Sequence, residues 1–205
     1  MQKNAWAGKS INILDYIERI GLNATVEILD KFSTQRSNRE QSLNEDIEIF
    51  LKNNAIQFAK EKKSITYLVF NVKEGVLLGY FTLAHKTIEI PESVLSKTKR
   101  KRIERYARFN KTLNAYPVSA FLIAQFGKNY ALDEGQRISG NDLMQFADKE
   151  LYEIQHRIGG GVKYLDCLDD TKLIDFYQKK QQFQLFDERI IEKDGKRYIQ
   201  LVKFF

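Results

Sequence analysis

Residues 116–126 (YPVSAFLIAQF) and 135–143 (GQRISGNDL) follow one another closely, a nearly unbroken apolar run and then a junction of glycines and small polar residues. The first reads as a central strand buried on both faces. After the second, Leu143, Ala147, Leu151, Ile154 and Ile158 recur at i, i+4, i+8, i+11 and i+15, which predicts an amphipathic helix over about 141–157. Gly159, Gly160 and Gly161 end it. A glycine-bearing turn from a buried strand into a helix offers first-turn N–H groups with no internal partners, and the helix dipole adds attraction for an anion. Ser139 with Asp142 three residues on is equally what an ordinary helix cap needs, so these residues alone leave capping and phosphate binding both open.

Upstream, residues 64–71 (SITYLVFN) and 76–86 (VLLGYFTLAHK) are β-rich runs separated by Lys73, Glu74 and Gly75, a pattern that predicts an antiparallel hairpin. Residues 12–20 and 47–59 have apolar residues at helical spacing, and the β-branched stretch 24–32 reads as a strand. The polar run 33–46 is expected to be a surface connection, with Asn44 or Asp46 capping the next helix. Downstream, 161–168 reads as a strand, 170–180 as a helix, and 183–191 with 197–205 as a β pair around Asp194 and Gly195. This alternation predicts a mixed α/β fold.

The chain has 205 residues, 43% of them apolar, and a net charge of +6, which fits a single folded domain over 1–205 and excludes a disordered chain. With no apolar run of about 18 residues and no secretory leader pattern, a soluble, cytoplasmic protein without membrane association is expected. One cysteine, Cys167, excludes an internal disulfide, and two distant histidines, His85 and His156, leave too few ligands for metal, so no metal is expected. Cys167 in a β-rich run reads as a buried apolar residue and not a nucleophile, and both histidines read as structural.

The positive charge is concentrated. Eight bases (Lys97, Lys99, Arg100, Lys101, Arg102, Arg105, Arg108 and Lys111) and one acid, Glu104, give residues 97–111 a charge of +7, leaving −1 for the rest of the chain. Such a patch meets phosphate, or is a plain solvated face. Tyr106 and Phe109, interleaved with its arginines, either stack on nucleotides or anchor the segment to the core.

Arg137, Ile138, Ser139, Gly140, Asn141 and Asp142 resemble the pyrophosphate loop of the GCN5-related N-acetyltransferase (GNAT) family, matching its first two anchors and departing at the third, where Asp142 replaces Gly or Ala. The strand ending in Ala124, Gln125 and Phe126 falls where that family exposes main chain to the pantetheine arm and acetyl group. Asp170, Leu173 and Tyr177 follow the spacing of the family's Asn, Ala and Tyr, while Gln181, Gln182 and Phe183 stand in place of its Gly-Phe. Residues 47–51 leading into 66–70, the basic segment, and Phe176 with Tyr177 resemble the bacterial toxin branch that acetylates aminoacyl-tRNA. The resemblance spans about 32–190.

It implies a mostly antiparallel central sheet flanked by helices and splayed at the central strand, with a helical N-terminal extension over about 1–22. It implies acetyl-CoA as cofactor, held by Ala124, Gln125, Phe126, 137–142 and Asp170, and Tyr177 as the acid that protonates the departing thiolate. Its implied partners are tRNA on the 97–108 bases, an antitoxin protein and a second copy of the chain. With no general base evident, an α-amine of pKa about 8, roughly a tenth neutral at pH 7, is favoured over a lysine amine near 10.4. A small amine or protein N-terminus as acceptor, and a non-catalytic nucleic-acid-binding module, remain alternatives.

Overall fold

The computed structural model describes residues 8–35, 44–190 and 195–205. Seven strands, β1 (Gly8–Asn12), β2 (Ile65–Asn71), β3 (Val76–Pro91), β4 (Ala115–Lys128), β5 (Val162–Leu168), β6 (Gln184–Ile190) and β7 (Arg197–Phe204), form one sheet in the order β1-β2-β3-β4-β5-β7-β6. Among the strand pairs with a described register, only β4 and β5 are parallel. The helices are α1 (Ile13–Ile20), α2 (Leu22–Asp30), α3 (Glu45–Ile49), α4 (Ala55–Lys60), α5 (Lys97–Ile103), α6 (Gly140–Ile158) and α7 (Thr171–Asp175). Phe50–Asn54 and Phe176–Lys180 are wider π turns that continue α3 and α7. The mixed, mostly antiparallel sheet is the class expected from the sequence.

The chain divides into two compact units, one comprising Met1–Leu83 and Gln125–Glu150, the other Ala84–Ala124 and Leu151–Phe205. In the first unit, Ile13, Leu29, Leu51, Ala55, Leu68 and Tyr80 belong to one buried cluster contributed by α1, α2, the α3–α4 run and the hairpin. Each large side chain buried there removes enough apolar area from water to contribute roughly 1.5–3 kcal/mol. The hairpin turns where expected: Gly75 has φ +66°, a conformation L side chains rarely adopt, and its N–H bonds the Asn71 carbonyl at 2.8 Å. Gly127 is a glycine for a different reason. A Cβ there would lie 2.6 Å from Ile47 Cγ2 and 3.1 Å from the Tyr80 ring, whose hydroxyl donates to the Ile47 carbonyl at 2.6 Å.

Asn129, just beyond β4, is buried and holds three main-chain groups. Its Nδ2 donates to the Leu77 carbonyl at 2.9 Å, and its Oδ1 accepts from Ser33 N (3.2 Å) and Ala131 N (3.0 Å). This fixes where the chain leaves the sheet on its way to α6.

In the second unit, Ile88, Ile90, Val118, Ala120, Val162, Tyr164, Phe186 and Val202 from five strands pack with Leu95 and with Ile103 of α5. One apolar side chain thus seats a helix whose other positions are mostly basic. Ser96 caps α5, its Oγ accepting from Lys99 N at 3.4 Å.

Two expectations are corrected. Residues 24–32 are not a strand. Most of that stretch lies in α2, because Thr25 and Leu29 are buried at i, i+4 and Thr25 Oγ1 donates back to the Gly21 carbonyl at 2.8 Å. The helical extension over about 1–22 also fails at 8–12, where β1 pairs antiparallel with β2 from Gly8↔Asn71 to Asn12↔Tyr67 before Asn12 caps α1. Residues 1–7, the middle of the 33–46 connection and Asp194 lie outside the described residues.

Replacing Asn129 by Ala leaves one buried carbonyl and two part-buried amides without their partner, and an unpaired group costs about 1–3 kcal/mol where it is buried and less where water reaches it. Chemical denaturation should therefore show a loss of about 3 kcal/mol for Asn129→Ala, and a loss below about 0.5 kcal/mol would contradict this anchoring role.

Candidate active site

The chain from β4 to α6 is braced by its own side chains. Arg137 donates from Nε to the Leu132 carbonyl (2.8 Å) and from Nη2 to the Tyr130 carbonyl (3.3 Å), and its guanidinium lies 5.1 Å from the Tyr130 ring centre. Tyr130 N in turn donates to the Ser33 carbonyl at 2.7 Å. Ser33, Thr34, Gln35, Tyr130 and Arg137 surround an open polar cavity of about 390 Å³. Ile138 is buried, whereas Ser139 and Asn141 are exposed.

At the start of α6, Ser139 and Asp142 close a reciprocal cap. Ser139 Oγ accepts from Asp142 N at 3.1 Å and donates to Asp142 Oδ2 at 2.6 Å, while Ser139 O accepts from Leu143 N at 3.0 Å. The Asp142 carboxylate is therefore turned to the cap. Gly140 and Asn141 occupy the first turn of α6. The capping reading is realised, and it occupies the one acid that stood against an anion at this place.

In the second unit, the parallel ladder of β4 with β5 comprises two pairs, Phe121↔Lys163 and Leu122↔Tyr164. Ile123 and Ala124 continue β4 without a described partner on β5, the local pattern of a strand splaying from its neighbour. Beside them is a cavity of about 570 Å³ whose lining includes Ile123, Ala124, Tyr164, Asp166, Arg189 and Gln200.

Asp170 caps α7, its Oδ1 accepting from Lys172 N (2.9 Å) and Leu173 N (3.0 Å). Tyr177 lies in the π turn that follows, a feature that recurs at functional sites. Its ring is buried edge-on to Phe176 and Phe183, with centroids 5.0 and 6.1 Å away. Burial, and secondarily the neighbouring Cys167, push the phenol far above its usual range, so it stays protonated at any physiological pH. Burial likewise pushes the Cys167 thiol up to about 11, with Asp166, Asp169 and Asp170 adding to it.

The basic segment divides by role. Arg100 pairs with Glu92 at 2.7 Å, and Arg102 donates to the Phe205 carbonyl and lies over the Phe204 ring. Lys97, Lys101, Arg105 and Arg108 point to solvent, and Lys99 is half-buried. The Tyr106 ring covers Gly161, leaving no room for a Cβ, and Phe109 packs on Tyr116 with centroids 5.2 Å apart. Both aromatics anchor the segment. His85 bonds Ser119 Oγ at 2.9 Å, and His156 lies beside Tyr152.

The expected site residues therefore fall in two groups. Gln125, Phe126 and 137–142 belong to the first unit; Ala124, Asp170, Tyr177 and the bases belong to the second. The sequence reading missed Asp166 and Gln200. The available signal was a carboxylate two residues from Tyr164 in a strand whose one other charged residue is Lys163, which places Asp166 and Tyr164 on one face.

Neither a protein-family model nor a curated protein matches the sequence. Solved structures do. The AtaT protein complexed with acetyl-methionyl-tRNAfMet is 15% identical, covering 94% of this chain and 93% of that one, with a TM-score of 0.59. The chain has its GNAT-like fold. A tyrosine-to-phenylalanine variant of KacT is 14% identical over 97% of this chain and 95% of that one, TM-score 0.61. A tyrosine-to-phenylalanine variant of the AtaT toxin, bound to the C-terminus of the antitoxin AtaR and acetyl-CoA, is 16% identical over 97% and 93%, TM-score 0.56. Among the described residues no helix is long and apolar enough to cross a membrane, and no group of three or more His, Cys, Asp or Glu is gathered for a metal.

A thiol with pKa about 11 is roughly 0.1% thiolate at pH 8, against about a quarter for a free thiol near 8.5. Iodoacetamide at pH 8 should thus label Cys167 on the order of 200-fold more slowly in the folded protein than after denaturation. Equal rates would mean that the thiol is accessible and ionised.

Proposed function

We propose that the protein is an acetyl-CoA-dependent N-acetyltransferase whose acceptor is the α-amino group of an aminoacyl-tRNA, acting as a toxin restrained by an antitoxin protein. The observation that carries the reading is the two-pair ladder of β4 and β5 at the strand that leads, through the braced loop, into the Ser139-capped helix. That sequence of elements supplies main-chain groups to a thioester arm and first-turn amides to a diphosphate. The structures of AtaT with acetyl-CoA and with acetylated initiator tRNA support it by likeness of fold.

When bound, acetyl-CoA supplies an acetyl group on a thiol leaving group. The amides of Gly140 and Asn141 are suited to hold its diphosphate, with Asp142 committed to Ser139 and Arg137 committed to bracing the loop. Ala124, Gln125 and Phe126 carry the strand main chain toward the acetyl end, and Asp170 contributes by fixing the start of α7. The Tyr177 hydroxyl, held protonated by burial, would donate a hydrogen bond to the departing thiol group. A phenol is already a weaker acid than a thiol near 8.5 and burial widens the gap, so full transfer is uphill, and the hydroxyl's main effect is a hydrogen bond that strengthens as charge develops on sulfur.

The acceptor's polyphosphate is met by the solvent-facing Lys97, Lys101, Arg105 and Arg108. At pH 7 about a tenth of an α-amine of pKa about 8 is already neutral, so attack needs little help from a base.

Labelled acetyl-CoA with charged tRNA should give acid-precipitable label on the RNA, and Tyr177→Phe should lower kcat on the order of 100-fold while leaving acetyl-CoA affinity unchanged. Changing Lys97, Lys101, Arg105 and Arg108 together to Gln should weaken tRNA binding and flatten its salt dependence. Intact acetyl-CoA binding with no label on RNA would overturn the acceptor, and unaltered turnover in Tyr177→Phe would overturn the acid.

A further inference from the structure

The cavity of about 570 Å³ in the second unit has a lining that mixes charged and apolar residues. Three carboxylates (Glu89, Asp166 and Asp187) face two cations (Lys86 and Arg189), so its polar lining is net negative in a unit that also carries the strongly basic segment. Asp166, Gln200 and Asp187 lie on one rung across three strands, since Asp166 pairs with Gln200 and Gln200 with Asp187. The floor of the same cavity, Ile88, Tyr164 and Phe186, belongs to the buried cluster on which Ile103 seats the basic helix. An acidic hollow and a basic helix thus share one rigid base.

We infer that this cavity receives the free amino end of the acceptor as an ammonium ion, with Asp166 as the positioning residue that binds it. The inference rests on the acetyltransferase reading and adds the place and the charge of the acceptor's reactive end. Asp166 is half-buried and held: its Oδ1 accepts from Gln200 Nε2 at 2.9 Å, which fixes the rotamer, while Oδ2 lies 3.4 Å from Arg189. Arg189 is the more exposed partner, 54% accessible against 22% for Asp166, and at that distance it yields to a closer cation at little cost. The carboxylate's field is felt in the hollow: burial and then Asp166 raise the Tyr164 phenol to about 12. Ile123 and Ala124, where β4 has parted from β5, line the same cavity, so an amine held at Asp166 lies beside the main chain assigned to the acetyl group.

The division of charge orients a molecule that is anionic along its length and cationic at one end. Phosphates are drawn to Lys97, Lys101, Arg105 and Arg108 and repelled from the hollow; the ammonium is drawn in. The nitrogen then sheds one proton to solvent before its lone pair attacks the acetyl carbon. A second proton leaves the nitrogen as the amide forms, with the Asp166 carboxylate and water as acceptors, while the departing sulfur, hydrogen-bonded by the Tyr177 hydroxyl, takes its proton from solvent.

The test compares wild type, Asp166→Asn and Asp166→Glu. Asn keeps an oxygen for Gln200 and removes only the charge. With charged tRNA as acceptor, Asp166→Asn should raise KM for the RNA about tenfold or more with KM for acetyl-CoA unchanged, and Asp166→Glu should recover part of the loss. Independently of turnover, phenylalanine methyl ester and its α-hydroxy analogue are titrated onto each protein. Wild type should prefer the amine by about tenfold or more, and Asp166→Asn should bind both alike. That preference and its loss support the assignment even if charged tRNA is not the substrate. Failure of labelling alone overturns only the acceptor assigned under the proposed function. An Asp166→Asn protein with unchanged KM, or a wild type that binds both esters equally or neither, overturns the cavity assignment.

Discussion

Main-chain N–H and C=O groups inside a folded protein must find partners, and the arrangement of this chain follows from where the sheet stops providing them. The parallel ladder of β4 and β5 lasts two residue pairs, after which Ile123 and Ala124 continue with no described partner on that side. Farther along the chain α6 begins, and its start is closed by the Ser139–Asp142 cap. On the way to α6, side chains hold main chain still: buried Asn129 fixes three groups, Arg137 two carbonyls, and Ser139 with Asp142 the helix start.

Electrostatics sorts the second unit by function. A surface helix carrying five bases in seven residues would be a poor fit to a folded core if Ile103 did not seat it on the apolar cluster and Glu92 and the chain's last residue did not hold Arg100 and Arg102. Those two arginines are held by partners, whereas Lys97, Lys101, Arg105 and Arg108 point to solvent. Buried Tyr177 and Cys167 are kept neutral by the same desolvation, so the interior of this unit offers a proton donor and no thiolate.

Much of this was legible in the sequence where period and punctuation agreed. The 64–86 hairpin, the apolar β4, α6 with its Gly159 stop and the terminal β pair were all readable because side-chain spacing there matches the element's repeat. α2 was misread because Thr25, Val26 and Ile28 carry β-branched chemistry while burial follows Thr25 and Leu29. β1 went unseen because a five-residue edge strand has too short a pattern to count. The roles of Arg137 and Asp142 depend on which way each side chain turns, and a loop sequence does not encode that. Asp166 was hidden inside a strand, since the identity of the residue across the rung, Gln200, is set by a pairing 34 residues distant.

The central claim is that the first-turn amides of α6 receive a diphosphate. Backbone amide resonances of an isotopically labelled sample, followed during titration with coenzyme A and separately with pantetheine, test it residue by residue. Large shifts across residues 137–143 with coenzyme A, absent with the diphosphate-free pantetheine, are the expected result; resonances there that stay unmoved by coenzyme A, or respond equally to both, would contradict it.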